Sequence, residues 1–285
     1  MKLLKFLISI FIFYYLFYDF NLSNLNLEVI SFFNLFLTIF ILFVGQIILS
    51  FRFMSLIDSN FKTSYETIVI SNALNILLPA RLGEVFKAIY LKKFYNYDYN
   101  LSISAIFMER FFDVVMLFLL LLVWGYCYFS NKLIQNSIIF LGIFIFFVVI
   151  FFNLGFRLNI EIFDKFYNKI NLLFHKTLKL FFFTLILWLF YLMSYWSFFD
   201  FLDITQILEL FIFSTIALSI PLTPAGVGSF EAIIVFYLDN YGIPKEQALL
   251  FATIYHFLIL FVDLVMFYFV ILNKNLSIDK LKGLK

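Results

Sequence analysis

Charge is scarce in this sequence. Only 13% of its 285 residues are Asp, Glu, Lys or Arg, about half the share found in water-soluble domains. With 64% hydrophobic residues, 46 Phe and 17 Tyr, the chain cannot build a solvated surface. That excludes a soluble enzyme, a nucleic-acid binder and a disordered chain, and makes this an integral membrane protein. Cysteine is nearly absent: Cys127 alone supports neither a disulfide framework nor a thiolate metal site. The two histidines, His175 and His256, lie far apart without acidic residues at ligand spacing, so no metal and no cofactor is expected. No G-x-x-x-x-G-K-[ST] string for binding nucleotide phosphates occurs. Proline and glycine are few, 4 and 9, so the places where they cluster carry information.

Apolar stretches of about 20 residues, enough to cross a bilayer, occur at 3–20, 29–50, 101–129, 137–154, 178–199 and 247–272. The first reads as an uncleaved anchor, because no small-x-small cleavage site follows it. Two further stretches are apolar but broken. One runs over 63–93 around Pro79 and Gly83, the other over 205–241 around Pro221, Pro224, Gly226 and Gly228. No straight helix passes through Pro-Leu-Thr-Pro-Ala-Gly-Val-Gly, since proline removes a backbone donor and clashes with the preceding turn.

Each broken stretch is either a re-entrant hairpin or a kinked crossing, and the distribution of basic residues decides. With both re-entrant and the N-terminus cytoplasmic, Lys2, Lys5, Arg52, Lys62, Lys87, Lys92, Lys93, the basic segment 157–179 and the tail 274–285 all fall inside. Only Lys132 and Lys245 fall outside, with Arg81 and Arg110 at membrane depth. Two full crossings would put 157–179 outside. The segment 157–179, with cations among Phe, Leu and Ile, reads as an amphipathic helix on the inner leaflet.

The breaks share a string. Pro79-Ala-Arg81-Leu-Gly83 and Pro224-Ala225-Gly226-Val-Gly228 both read P-A-x-x-G, 145 residues apart. The expected fold is thus an all-α polytopic membrane protein of about six full transmembrane helices plus two re-entrant broken hairpins. It forms one transmembrane domain of two inverted repeats, about 1–130 and 131–273, with a basic cytoplasmic tail at 274–285. Inverted repeats with broken helices near the midplane are a transporter construction.

Charges at membrane depth need a reason. Glu109, Arg110 and Asp113 fall about 13–20 Å into their span. Arg110 can reach Asp113 at i+3, which leaves Glu109 as an excess negative charge. Arg81 and Glu84 flank the first break and Glu231 follows the second. His256 and Asp263 share a face of the last span. The expected substrate path is Asn75, Arg81, Glu84, Glu109, Arg110, Asp113, Glu231 and His256; no catalytic residue is expected.

The strings Asn75-Ile-Leu-Leu-Pro79-Ala-Arg81-Leu-Gly83-Glu84-Val-Phe-Lys87, Glu109-Arg110-Phe-Phe-Asp113 and Pro221-Leu-Thr-Pro224-Ala225-Gly226-Val-Gly228-Ser-Phe-Glu231 resemble the lysylphosphatidylglycerol synthase transmembrane-region family. The resemblance covers about residues 29–272 and implies a flippase-like membrane protein, here a free-standing member without the synthase domain. Two departures stand out. Ala225 takes the place of a usual glycine, which stiffens that turn, and His256 sits roughly where the family carries an arginine.

The expected function is movement of an anionic phospholipid or polyprenyl-phosphate-linked lipid between leaflets of the plasma membrane. The alternatives are an intramembrane transferase with Glu84 and Glu231 as acid and base, or a non-catalytic subunit of envelope assembly. Membrane lipids are the expected partners and nucleic acid is not; homo-oligomers and envelope-biosynthesis enzymes stay open as partners.

Overall fold

The computed structural model describes residues 31–78, 81–127, 172–219 and 223–274, with scattered positions within 12–26 and 139–170. The expected crossings at 3–20 and 137–154, most of the amphipathic segment, Pro79, Pro221 and the tail beyond Lys274 lie wholly or largely outside the described residues. The described elements are helices: α1 (Phe32–Ile57), α2 (Phe61–Leu77), α3 (Gly83–Tyr95), α4 (Tyr99–Cys127), α5 (Thr177–Phe198), α6 (Ile204–Ser219), α7 (Ser229–Asn240) and α8 (Lys245–Lys274). A 3-10 turn, Pro224–Gly226, precedes α7.

The all-helical membrane fold is as the sequence predicts. Among the described residues, three helices are long and apolar enough to cross a bilayer: Phe32–Ile57, Thr177–Phe198 and Lys245–Asn273. α4 has 29 residues, with Glu109, Arg110 and Asp113 interrupting its first half. Both proline-glycine stretches are broken: α2 stops at Leu77 and α3 starts at Gly83, while α6 stops at Ser219 and α7 starts at Ser229. Helix lengths run in the same order twice, 26, 17, 13 and 29 residues over α1–α4, then 22, 16, 12 and 30 over α5–α8.

With few glycines available, the chain uses Asp and Asn to end and begin helices at its polar turns. Asp58 follows α1 at φ 51 and Asn96 follows α3 at φ 56; these short polar side chains tolerate the left-handed region better than most. Asn60 caps α2, its Oδ1 accepting the Thr63 N–H at 2.8 Å. At α6 the Asp203 carboxylate accepts the N–H groups of Thr205 and Gln206, both at 2.9 Å, and the Asp203 N–H donates back to Gln206 Oε1 at 3.1 Å. Each cap satisfies backbone donors that the first turn leaves open.

The chain divides into two compact units. The first comprises Met1–Ile47, Glu66–Lys87 and Phe190–Lys285, the second Ile48–Tyr65 and Ala88–Leu189. In the first unit, α7 lies against α6 and α8. Of the buried residues of α6, Ile207, Leu210, Phe211, Ser214 and Ala217 follow helical periodicity, and Ile212 is buried beside that face. Aromatic rings join α5 to α8: Tyr195 and Tyr255 stand 4.5 Å apart by centroids, and Phe198 and Phe199 lie 5.2 and 5.4 Å from Tyr255. The buried phenols are satisfied, Tyr255 by Ser194 and Tyr195 by Ser214, each at 2.6 Å, as low-dielectric burial requires. Along α1, Phe32, Phe33, Phe36, Phe40 and Phe43 are exposed, an apolar stripe that only lipid would solvate.

Candidate functional site

Two polar clusters stand out, one in each unit. In the second unit, Arg52 of α1 is fully buried. Its Nε donates to Glu109 Oε1 at 3.2 Å and its Nη1 to Asp113 Oδ1 at 2.6 Å. A weaker Nη1 bond reaches Thr184 at 3.4 Å, and Trp188 Nε1 donates to Asp113 Oδ1 at 3.3 Å. Arg110 does reach Asp113 at i+3, Nη1 to Oδ2 at 3.2 Å. The guanidinium fork suits two carboxylates one helical turn apart.

This cluster corrects two sequence expectations. Glu109 is no excess charge: Arg52 neutralises it. Nor is Arg52 a cytoplasmic loop residue, because α1 continues to Ile57 and carries it into the interior. The available signal was the apolar run Phe53-Met-Ser-Leu-Ile57 after Arg52, which extends the helix past position 50. Two arginines and two carboxylates leave the group neutral, and at 39% side-chain exposure Arg110 is its accessible cation.

In the first unit, each break places an acid in the first turn of the following helix, Glu84 in α3 and Glu231 in α7, where the exposed N–H dipoles favour negative charge. At the first break Arg81 turns through φ 54. Gly83 presses against α2, so a Cβ there would overlap the Ser71 carbonyl oxygen and meet Asn75 Oδ1 at 2.5 Å. Glu84 pairs with the buried Lys87 at 3.2 Å. Among the described residues, Asn75 Oδ1 and Ser71 Oγ are buried with no hydrogen-bond partner, so this side of α2 holds unused polar capacity.

At the second break Ala225, Gly226 and Gly228 have φ of 53, 81 and 92. Gly226 and Gly228 take the left-handed region freely, whereas Ala225 bears about 1–2 kcal/mol of strain there. The turn is therefore strained at Ala225 and not merely stiffened by it. Ser229 Oγ donates to the Gly226 carbonyl at 3.0 Å, and Glu231 Oε2 accepts the Gly228 N–H at 2.6 Å. From α8, His256 reaches both sides of the break: Nδ1 lies 2.7 Å from Glu231 Oε1 and Nε2 lies 3.2 Å from the Ala225 carbonyl oxygen. The Phe230 ring stands 4.6 Å from the imidazole.

Seven residues further along α8, Asp263 Oδ1 accepts a long 3.4 Å bond from Asn72 Nδ2, which also donates to Gln46 at 2.9 Å. Thus α8 touches the second break through His256 and α2, beside the first, through Asp263. Of the expected path residues, Glu109, Arg110 and Asp113 come together around Arg52, and Glu231 meets His256. Asn75 and Glu84 stand at the first break with Arg81. Gln46 and Asn72 escaped the sequence reading, since an uncharged amide within an apolar helix gives no signal of its own.

The comparisons bear on these same positions. The family model for the lysylphosphatidylglycerol synthase TM region matches residues 2–266, further toward the N-terminus than the sequence strings reach. UPF0104 membrane protein MJ1078 of Methanocaldococcus jannaschii is 29% identical over 219 residues, covering 69% of this chain and 94% of that protein. No solved structure matches. With both breaks and the Glu109–Asp113 cluster inside the matched range, this multi-pass membrane protein belongs to the lysylphosphatidylglycerol synthase TM-region family.

Proposed function

We propose that the protein moves an anionic phospholipid or a polyprenyl-phosphate-linked lipid between leaflets. The observation that carries this reading is the pair of broken helices, each with an acid in the first turn after the break, in a chain with little charge elsewhere. Backbone freed by a break is tolerated at membrane depth only where protein buries it or a wet cavity meets it. The recurrence of helix lengths from α1–α4 in α5–α8 supports two repeats of one design. At 12–17 residues, the four helices flanking the breaks would run about 18–26 Å at 1.5 Å per residue, short of a 30 Å hydrocarbon core. That favours re-entrant hairpins.

Arg81 and Arg110 are the cations suited to a phosphate group, by charge-assisted hydrogen bonds. The transferase alternative, with Glu231 as a base, is disfavoured because both its carboxylate oxygens are engaged. The reading puts both termini in the cytoplasm, Lys62 inside and Tyr241 outside. Single cysteines at these positions, in a Cys127→Ser background, should react with an impermeant maleimide from opposite sides; labelling from one side would remove the double re-entrant topology.

The transport test separates charge from folding. Glu231→Gln, whose carboxamide still accepts from Gly228 and donates to His256, and Glu84→Gln/Lys87→Met, which removes both members of that buried pair and strands no charge, should abolish transbilayer movement of a labelled anionic lipid in proteoliposomes while the melting temperature stays near wild type. Normal lipid movement by both variants would defeat the proposal. Loss of movement together with loss of folding would reduce these residues to struts of the broken helices.

A further inference from the structure

The hydrogen bonds of His256 constrain its protons. A carbonyl oxygen can only accept, so the 3.2 Å bond to Ala225 requires the hydrogen on Nε2. The 2.7 Å approach of Nδ1 to Glu231 Oε1 requires one more proton between those atoms, carried on the nitrogen or on the oxygen. Imidazolium with carboxylate, or neutral imidazole with carboxylic acid, both satisfy the geometry. Either way the pair holds the same two protons and has no net charge.

We infer that Glu231 and His256 together form a bound-proton site whose occupancy keeps the second break closed. The inference rests on the transport reading above, to which it adds the coupling ion. When the shared proton leaves, one hydrogen remains for two acceptors. If it stays on Nε2, the Nδ1 lone pair faces a carboxylate oxygen. If it moves to Nδ1, the charge-assisted bond to Glu231 survives and the neutral bond to Ala225 is lost. The charge-assisted bond is the stronger, so the Ala225 carbonyl is the one released. Ala225 is already held in the left-handed region at φ 53, and with Gly226 beside it at φ 81 the freed turn can relax.

Deprotonation also leaves a net negative charge. The helices α6 and α7 and residues 190–198 of α5 contain no Lys or Arg. The acids they bring are Glu209 of α6, hydrogen-bonded by the Tyr241 hydroxyl, and Asp239 near the end of α7. The α5 partners, Ser194 and Tyr195, are neutral and hydrogen-bonded. On α8 itself, Tyr255 is paired with Ser194 and Asp263 holds Asn72. Glu209 and Asp239 belong to the far end of α7 from Glu231. These stretches of α5, α6 and α7 therefore bring no cation to the buried pair, and a net negative charge there favours opening the break to water or to a cation.

The test uses the full chain in lipid nanodiscs, Cys127→Ser with Val227→Cys carrying a trifluoromethyl tag, read by fluorine NMR across pH. A closed-break resonance should dominate at low pH and give way to an open one in a single-proton step, its population falling about fivefold or more with the loss of one hydrogen bond. Glu231→Gln should stay closed at every pH, because the carboxamide accepts from Gly228 and donates to Nδ1, reproducing the neutral pair. His256→Ala should stay open, and Asp263→Asn should keep the wild-type step. A wild-type spectrum without a pH step, or a step that survives in Glu231→Gln, overturns the proton site. Proteoliposomes separate the two readings: a pH step without lipid movement keeps this site and removes transport, and lipid movement without a step does the reverse.

Discussion

Replacing Arg52 with glutamine should destabilise the protein by about 3–5 kcal/mol, the range for removing one partner of a buried ion pair. Arg52 is fully buried and serves two carboxylates at once, Glu109 at 3.2 Å and Asp113 at 2.6 Å. Without it Glu109, itself fully buried, loses its guanidinium partner one helical turn from Asp113, which Arg110 engages at 3.2 Å. Like charges a turn apart repel, so the loss exceeds one hydrogen bond. Arg52→Lys should recover only part of it, since an ammonium lacks the fork that meets both acids. The double variant Arg52→Gln/Glu109→Gln should be more stable than Arg52→Gln alone, because it removes the stranded charge. Thermal unfolding of detergent-purified protein, followed by the loss of the monodisperse chromatographic peak, reads all three. An unchanged melting temperature for Arg52→Gln would show that the cluster does not hold α1, α4 and α5 together.

Gly83→Ala should fold poorly, at a cost of about 1–3 kcal/mol or more, as for overpacking into a filled space. The added methyl would overlap the carbonyl oxygen of Ser71, an atom of the α2 backbone that no rotamer change can move away. The start of α3 must then withdraw from α2, loosening the Glu84–Lys87 pair that begins that helix. Asn75→Ala in the same chain should give little relief, because it removes only the second, side-chain contact. Gly142→Ala provides the comparison: among the described residues nothing lies within 4 Å of a Cβ there, and its melting temperature should not fall below wild type. Equal stability of the two alanine variants would mean that α3 does not approach α2 as closely as described.

The sequence by itself determined the class of this protein and the rough placement of the described helices. Both follow from local properties: apolar runs of bilayer length, proline and glycine that no straight helix can absorb, and Asp or Asn at the turns. The breaks near Gly83 and Gly226 were legible for the same reason, as was the reach of Arg110 to Asp113 within one helix. What only the tertiary structure decided is the set of partners. Arg52 and Glu109 are 57 residues apart, and His256 stands 31 residues from the Ala225 carbonyl it bonds; Asn72 and Asp263 are separated by 191. In an apolar interior a buried charge or amide must find a partner, but composition and periodicity state only the need, not which helix meets it. Gly83 makes the same point for sterics: its lack of a side chain was visible in the sequence, while the Ser71 carbonyl that requires it was brought there by the packing of α3 on α2.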